Sequence, residues 1–279
     1  MRSVSTLRSM ARSPQALRHH FEVERELAAR LRQSSRKERP ALVPELYSEL
    51  YRRVPDHPRI DRSKDVQARE RSVSNQLRLL DPFLRQDVRF LEFGAGRGEL
   101  SEAVLSRVAQ VTALEVCAQG DHKLSPGISG GVAWHYHDGL EVPLDAEAVD
   151  VAFSYQVLEH VHPDDVPLHL AEAARVLRPG GVYVLSTPHG FSGPHDVSRY
   201  FSDDLETFHL KEWTYEEIGK ALSGAGFRGV GSYFRGVHYG RAGFWCWRVV
   251  EAGLRWLPKP MRRAISRQFL NNVIITAFR

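Results

Sequence analysis

The spacing of apolar positions divides the chain near residue 85. Before it, apolar residues recur at helical intervals. Leu17, Phe21, Leu27, Ala28 and Leu31 mark one stripe. Leu42, Leu46, Tyr47, Leu50 and Tyr51 mark a second, and Val66, Val73, Leu77 and Leu80 a third, over about Ser63 to Leu84. After it, short continuous apolar runs read as buried strands at 88–93, 111–116, 132–136, 149–154, 182–186, 227–234 and 272–278. Helical stretches separate most of them. Strand, turn, helix, strand is the rhythm of an α/β chain with a doubly wound sheet. Seven strands are therefore predicted, behind an N-terminal helical extension.

Local signals set the boundaries. Ser13-Pro14 starts the first helix, with a capping hydroxyl and then proline. Arg36 to Pro40 ends it, and Pro55 to Pro58 is a rigid connector. Gly127 to Gly131 reads as a glycine-bearing loop. Pro163-Asp164-Asp165 opens a helix that Pro179-Gly180-Gly181 stops. Thr214 to Glu217 caps another. Residues 189–212 read as a polar loop rich in histidine and aromatics, and loops of that length are usually functional. Between the sixth and last strands lies an insertion at about 241–270, predicted as two helices split by Pro258 and Pro260.

The candidate chemistry sits after the first strand. Gly94, Gly96 and Gly98 turn the chain there, and glycine admits close backbone approach of a ligand. Open α/β sheets bind ligands just outside the carboxyl ends of their strands. Glu115 ends the second strand, 17 residues after Gly98. That suits a carboxylate accepting from ribose hydroxyls. The glycines run G-x-G-x-G, where a dinucleotide site wants G-x-G-x-x-G. Glu92, two residues ahead of them, would repel a pyrophosphate and favour a cationic ligand.

Residues 91–98, Leu-Glu-Phe-Gly-Ala-Gly-Arg-Gly, resemble the first motif of class I S-adenosylmethionine-dependent methyltransferases. The resemblance continues through Glu115, Asp138-Gly139, residues 154–161 and residues 176–181, and covers roughly 85–235. The broad small-molecule group containing ubiquinone-type enzymes is the most similar. It implies a Rossmann-like seven-stranded doubly wound sheet with an antiparallel last strand. It implies two parts: a basic tail and helical cap over 1–84, and a methyltransferase domain over 85–279. It implies S-adenosyl-L-methionine as cofactor, held by Glu92, Gly94, Ala95, Gly96, Gly98, Glu115, Val116, Asp138, Gly139, Tyr155 and Gln156. Asp138 would face the adenine amino group, and Tyr155 and Gln156 the methionine half. The N-terminal helices would cap the cofactor or shape the acceptor pocket, with Tyr47, Tyr51 and His57 as possible contacts.

The acceptor is expected to be a small molecule, a lipid-linked group or a glycan, methylated at oxygen. A hydroxyl acceptor benefits from a base, and histidine titrates in the right range. His195 and His189 follow the strand end nearest the expected methyl position and are the candidates; His209 and His160 are reserves. No Asp/Asn-Pro-Pro-aromatic follows the fourth strand, which disfavours adenine-amino methylation of DNA. Neither cysteine follows a proline, which disfavours cytosine-C5 chemistry. No cluster of acids and histidines suggests a metal-dependent catechol site, and no metal is expected. Alternative readings are a cofactor-binding but catalytically silent partner protein and an RNA methyltransferase.

Charge refines the picture. The net charge is +4, but residues 1–40 carry ten basic against four acidic residues, and residues 241–268 seven against one. Each end is thus +6 and the middle −8. The insertion sets Phe244, Trp245, Trp247 and Trp256 among its cations. That suits peripheral contact with an anionic membrane surface, and equally a lid with an apolar inner face. Nucleic acid is disfavoured because neither basic end shows an RNA module. Two cysteines give no disulfide framework, so a reducing, cytoplasmic setting is expected. The Arg- and Ser-rich residues 1–12 match a mitochondrial transit peptide in composition, a lesser reading than a frayed tail. The oligomeric state is left open.

Overall fold

The computed structural model describes residues 12–60, 65–117, 127–137, 140–234 and 236–279. The basic tail over 1–11, Ser63, and the Asp138-Gly139 pair lie outside them.

The strands are β1 (Arg89–Phe93), β2 (Gln110–Glu115), β3 (Gly127–Ser129), β4 (Val132–Tyr136), β5 (Val149–Tyr155), β6 (Leu177–Pro188), β7 (Gly229–Phe234), β8 (Val237–Tyr239) and β9 (Asn272–Phe278). They form one sheet in the order β3-β4-β2-β1-β5-β6-β9-β7-β8. The seven predicted strands are present. The two additional ones are short edge strands, and both are antiparallel to their neighbours. The predicted loop at 127–131 is in fact half a hairpin: residues 127–129 pair with β4, and Gly130 and Gly131 turn the chain at positive φ. Strands β4, β2, β1, β5 and β6 are parallel. The last strand, β9, runs antiparallel between β6 and β7. Strand order reverses between β1 and β5, and the carboxyl ends of those two strands frame the crevice where such sheets take ligands.

The helices are α1 (Pro14–Gln33), α2 (Arg39–Arg53), α3 (Val66–Leu80), α4 (Glu99–Val104), α5 (Val166–Val176), α6 (Tyr215–Gly224), α7 (Gly240–Arg255) and α8 (Lys259–Ser266). α3 stops at Leu80, four residues short of the predicted end, because Asp81-Pro82 turns the chain there. Its start is capped by Asp65, whose side chain accepts from the Ala68 N–H at 3.0 Å. α6 carries the expected capping box of Thr214 and Glu217. α7 and α8 are the two predicted insertion helices, with Pro258 between them. No helix among the described residues is long and apolar enough to cross a membrane.

Two apolar clusters cover the faces of the sheet. A third belongs to the N-terminal cap, where Leu27, Leu31, Leu46 and Leu50 meet Phe208 and Leu210. The cap is also fixed by polar contacts. The buried Arg39 guanidinium forms an ion pair with Asp165 at the start of α5, its Nη2 donating at 2.8 Å. Arg32 donates to the carbonyls of Leu205, Glu206, Thr207 and His209. These contacts hold α1 and α2 over the carboxyl edge of the sheet.

Candidate functional site

The site begins with the turn after β1. Gly94 and Gly96 take φ of +66° and +61°, conformations that side chains rarely adopt. A Cβ on Gly94 would lie 2.6 Å from Val157 Cγ2, so the backbone is bare where it faces the end of β5. Glu115, at the end of β2, closes the turn. Its Oε2 accepts the Gly96 N–H and its Oε1 the Val116 N–H, both at 2.8 Å. Glu92 is buried and accepts from the Ser101 hydroxyl at 2.6 Å. Burial pushes its carboxyl up to about 8. Near neutrality Glu92 therefore tends to hold a proton, and a cation placed nearby would favour its loss.

Two adjoining cavities open above these residues. A small one, about 100 Å³, is walled by Gly94, Glu115, Val116, Gln156 and Arg59. A larger cleft, about 780 Å³, is walled by Glu92, Gly94, Ala95, Gly96, Tyr155 and Gln156 on the sheet side and by Tyr47, Tyr51 and His57 on the cap side. His195, His160 and His209 also line it. The structure thus brings together most of the residues expected to hold the cofactor. Gly98 is the exception: it caps α4 at φ +86° and lies against the Trp134 ring, off the cavity wall.

The expectation of a base at His189 is corrected. Its ring is fully buried, Nε2 pairs with Glu251 of α7 at 2.8 Å, and Nδ1 accepts from the Phe191 N–H. It lines neither cavity, and it ties the strand end to the insertion. The predicted polar loop around it is partly interior, with Ser192, Ser198 and Thr207 buried.

Glu212 organises His195 and His209, and no local sequence signal marks it. Its Oε2 accepts from His195 Nδ1 at 3.0 Å and its Oε1 from His209 Nδ1 at 2.8 Å. Burial works to raise the Glu212 carboxyl, but these two bonds hold it down at about 2. Burial likewise works against a charged His209. The Glu212 bond, with Glu159 and Asp196 nearby, outweighs it and lifts His209 to about 9. His160 donates from Nδ1 to the Phe208 carbonyl at 3.0 Å, and burial pushes it down to about 3. Glu159 is fully buried with its pKa raised by burial. Its Oε2 accepts from Thr187, while Oε1 has no hydrogen-bond partner.

The reading that acids and histidines do not cluster is also corrected. Glu159, His160 and His209 offer ligand atoms within 4.8 Å of one another, and so do His20, Glu24 and His57. Each set is the donor type a divalent cation takes. Sequence reasoning missed these because their members come from α1, the connector after α2, and the segments after β5 and β6. Arg59 was missed for the same reason. Burial opposes its charge, but Tyr51 and Glu115 beside it raise its pKa.

A family model described as a methyltransferase domain matches residues 91–185, from β1 through most of β6. Over that segment the chain resembles class I S-adenosylmethionine-dependent methyltransferases, and S-adenosylmethionine is the cofactor that resemblance implies. The chain is similar to a probable S-adenosylmethionine-dependent methyltransferase of Mycolicibacterium smegmatis, 39% identical over 89 residues, which are 31% of this chain and 32% of the relative. It is also similar to a ubiquinone biosynthesis O-methyltransferase of Parvibaculum lavamentivorans, 29% identical over 168 residues, 49% of this chain and 64% of the relative. It spans about a third of the length of the first relative and less than two thirds of the second. A solved S-adenosylmethionine-dependent methyltransferase from Archaeoglobus fulgidus shares the fold, with a TM-score of 0.52 at 18% identity over 76% of this chain and 94% of that one.

Proposed function

We propose that this protein methylates an oxygen of a small-molecule, lipid-linked or glycan acceptor bound between the helical cap and the sheet edge. The observation that carries the reading is continuity. Gly94, Gln156, His160, Tyr47 and Tyr51 wall both the small cavity beside Glu115 and the large cleft beneath the cap. A cofactor held at Glu115 and an acceptor held under the cap would therefore meet at the end of β5. The bare backbone at Gly94 and the carboxylate of Glu115 fit S-adenosylmethionine, whose sulfonium supplies an already activated methyl group. The similarity to an O-methyltransferase favours oxygen as the atom modified.

The protein's share of the work is then to bind, align and take a proton. Tyr47 stacks on Phe208 with ring centroids 5.0 Å apart, giving the cleft a flat apolar wall for an acceptor. Alignment of this kind can contribute on the order of 7–11 kcal/mol to the barrier. His195 is the base we propose. Glu212 accepts its Nδ1–H, and its Nε2 lies 3.2 Å from the Ser192 hydroxyl, whose proton goes to the Leu270 carbonyl. His160 has a similar fixed tautomer, but its depressed pKa makes it the weaker base.

Calorimetric titration with S-adenosylmethionine and S-adenosylhomocysteine tests the cofactor half. Wild type should bind, and Glu115→Ala should weaken binding tenfold or more, since hydrogen bonds to a charged group contribute about 1.5–3 kcal/mol. No binding by wild type would sink the reading. Labelled-methyl transfer to candidate hydroxyl acceptors tests the other half. There His195→Ala should slow turnover by roughly 10²–10⁴-fold. Cofactor binding without transfer to any acceptor would favour a silent partner protein. Transfer to RNA with steeply salt-dependent affinity would favour an RNA methyltransferase.

A further inference from the structure

α7 has two apolar faces, and only one is covered. Inward, Gly243, Phe244 and Leu254 are buried, packed toward β7 and α6. Outward, Arg241, Trp245, Val249, Ala252 and Trp256 follow one another at intervals of three or four, with Arg248 beside Val249, and all share a stripe about 100° wide. On that stripe Trp245 is 58% exposed, Val249 71% and Trp256 91%. Met261 on α8 and Phe269 beyond it are exposed as well. Scattered exposed apolar residues need no explanation, but two tryptophans and a valine along one helix face do.

The charge of this region has one sign. From residue 240 to 271 the only acid is Glu251, which is buried against His189. Arg255, Lys259 and Arg263 are already paired with Glu216, Asp204 and Asp203. Arg241, Arg248 and Arg262 make no ion pair among the described residues. Arg248 lies over the Trp245 ring at 5.0 Å, and Arg262 over Phe191 at 4.7 Å.

We propose that this stripe docks the protein on an anionic lipid bilayer. Tryptophan favours the boundary between headgroups and acyl chains, where its ring is apolar and its N–H is wet. Val249 and Ala252 between the tryptophans, and Met261 on α8, add apolar surface that enters the same boundary. The arginine stems lie along that apolar surface while their heads reach the lipid phosphates. A second copy of the chain would bring like charges together, which opposes self-docking. A nucleic acid strand would need a groove and aromatic platforms for successive bases, and the stripe is a convex face interrupted by aliphatic residues. The proposal does not depend on methyl transfer, and cofactor titration on the same variants keeps the two apart.

The test is co-sedimentation of the full chain with vesicles of phosphatidylglycerol mixed with phosphatidylcholine, against phosphatidylcholine alone. The expected result is binding to the mixed vesicles at low salt, falling as salt rises, with a blue shift of tryptophan fluorescence. Trp245→Ser with Trp256→Ser should lower partitioning at least about tenfold. Arg241→Glu with Arg248→Glu should do the same. Both double variants should keep the wild-type circular dichroism and S-adenosylmethionine affinity. Four outcomes would overturn the proposal: equal binding to phosphatidylcholine alone, unchanged binding by both variants, a concentration-dependent dimer lost in the variants, or salt-sensitive RNA binding in place of vesicle binding.

Discussion

The proposed cofactor wall and the proposed acceptor wall meet at Gly94, Gln156 and His160 but are built by different means. The cofactor wall is drawn mostly from the ends of β1, β2 and β5, with Glu115 hydrogen-bonded to the backbone N–H groups of Gly96, 19 residues earlier, and of the adjacent Val116. Its chemistry is set by backbone conformation and by one carboxylate. The acceptor wall draws on α1, α2, the connector after α2, and the segment between β6 and α6. Its chemistry is set by side chain pairs within the cap and within the segment before α6: Glu24 with His20 and His57, and Glu212 with His195 and His209. The first wall follows from the sheet alone. The second depends on how the cap is held.

The largest expected effect breaks that hold. Asp165 is almost fully buried and bonded to Arg39 and Arg36. Asp165→Ala would strand the buried Arg39 charge, which costs about 3–5 kcal/mol, so thermal unfolding should shift down by roughly 10 °C. Burial works to raise the Asp165 carboxyl, but Arg39 and Arg36 outweigh it and hold it low. Its contribution is therefore present above the ordinary carboxylate range and lost on acidification below it. S-adenosylmethionine affinity at neutral pH should change little. If affinity falls as far as stability does, the two walls are not separable in the way described.

The converse substitution is smaller. Gly94→Ala forces a side chain into positive φ and against Val157, a strain of roughly 1–3 kcal/mol. Titration calorimetry should show cofactor affinity at least about tenfold weaker, with thermal stability reduced by only a few degrees. Unchanged affinity would mean that the turn after β1 does not face the cofactor.

The same contrast explains what the chain disclosed before folding. The seven strands are periodic features that apolar spacing reveals, and the turn at Gly94 is marked by its glycines. The edge strands β3 and β8, three residues each, carry too little pattern to be seen. His189 was misread because position at a strand end gives proximity without direction. The ring turns toward Glu251, 62 residues further on, in an insertion whose placement no local signal sets. Glu159 and Glu212 were missed for a related reason. A carboxylate in a helical or loop stretch reads as solvated surface until tertiary contacts bury it and give it histidine neighbours.

The smallest effect lies within the acceptor wall and is read through pH. His209 sits at about 9 against an ordinary 6.5, chiefly because Glu212 outweighs its burial. A raised histidine contributes stability that is full below the unfolded value and is lost as pH climbs through the folded one. Wild-type stability should therefore decline between pH 6.5 and pH 9. Glu212→Gln keeps the shape but removes the charge, so His209 falls back toward its ordinary range. The variant should lose about 1–2 kcal/mol near pH 6.5, and much less near pH 9, where the wild-type ring is itself losing its proton. Denaturant titrations at the two pH values measure the difference directly. An equal loss at both would show that Glu212 acts through its hydrogen bonds alone, and the acceptor wall would then be no more electrostatic than the cofactor wall it adjoins.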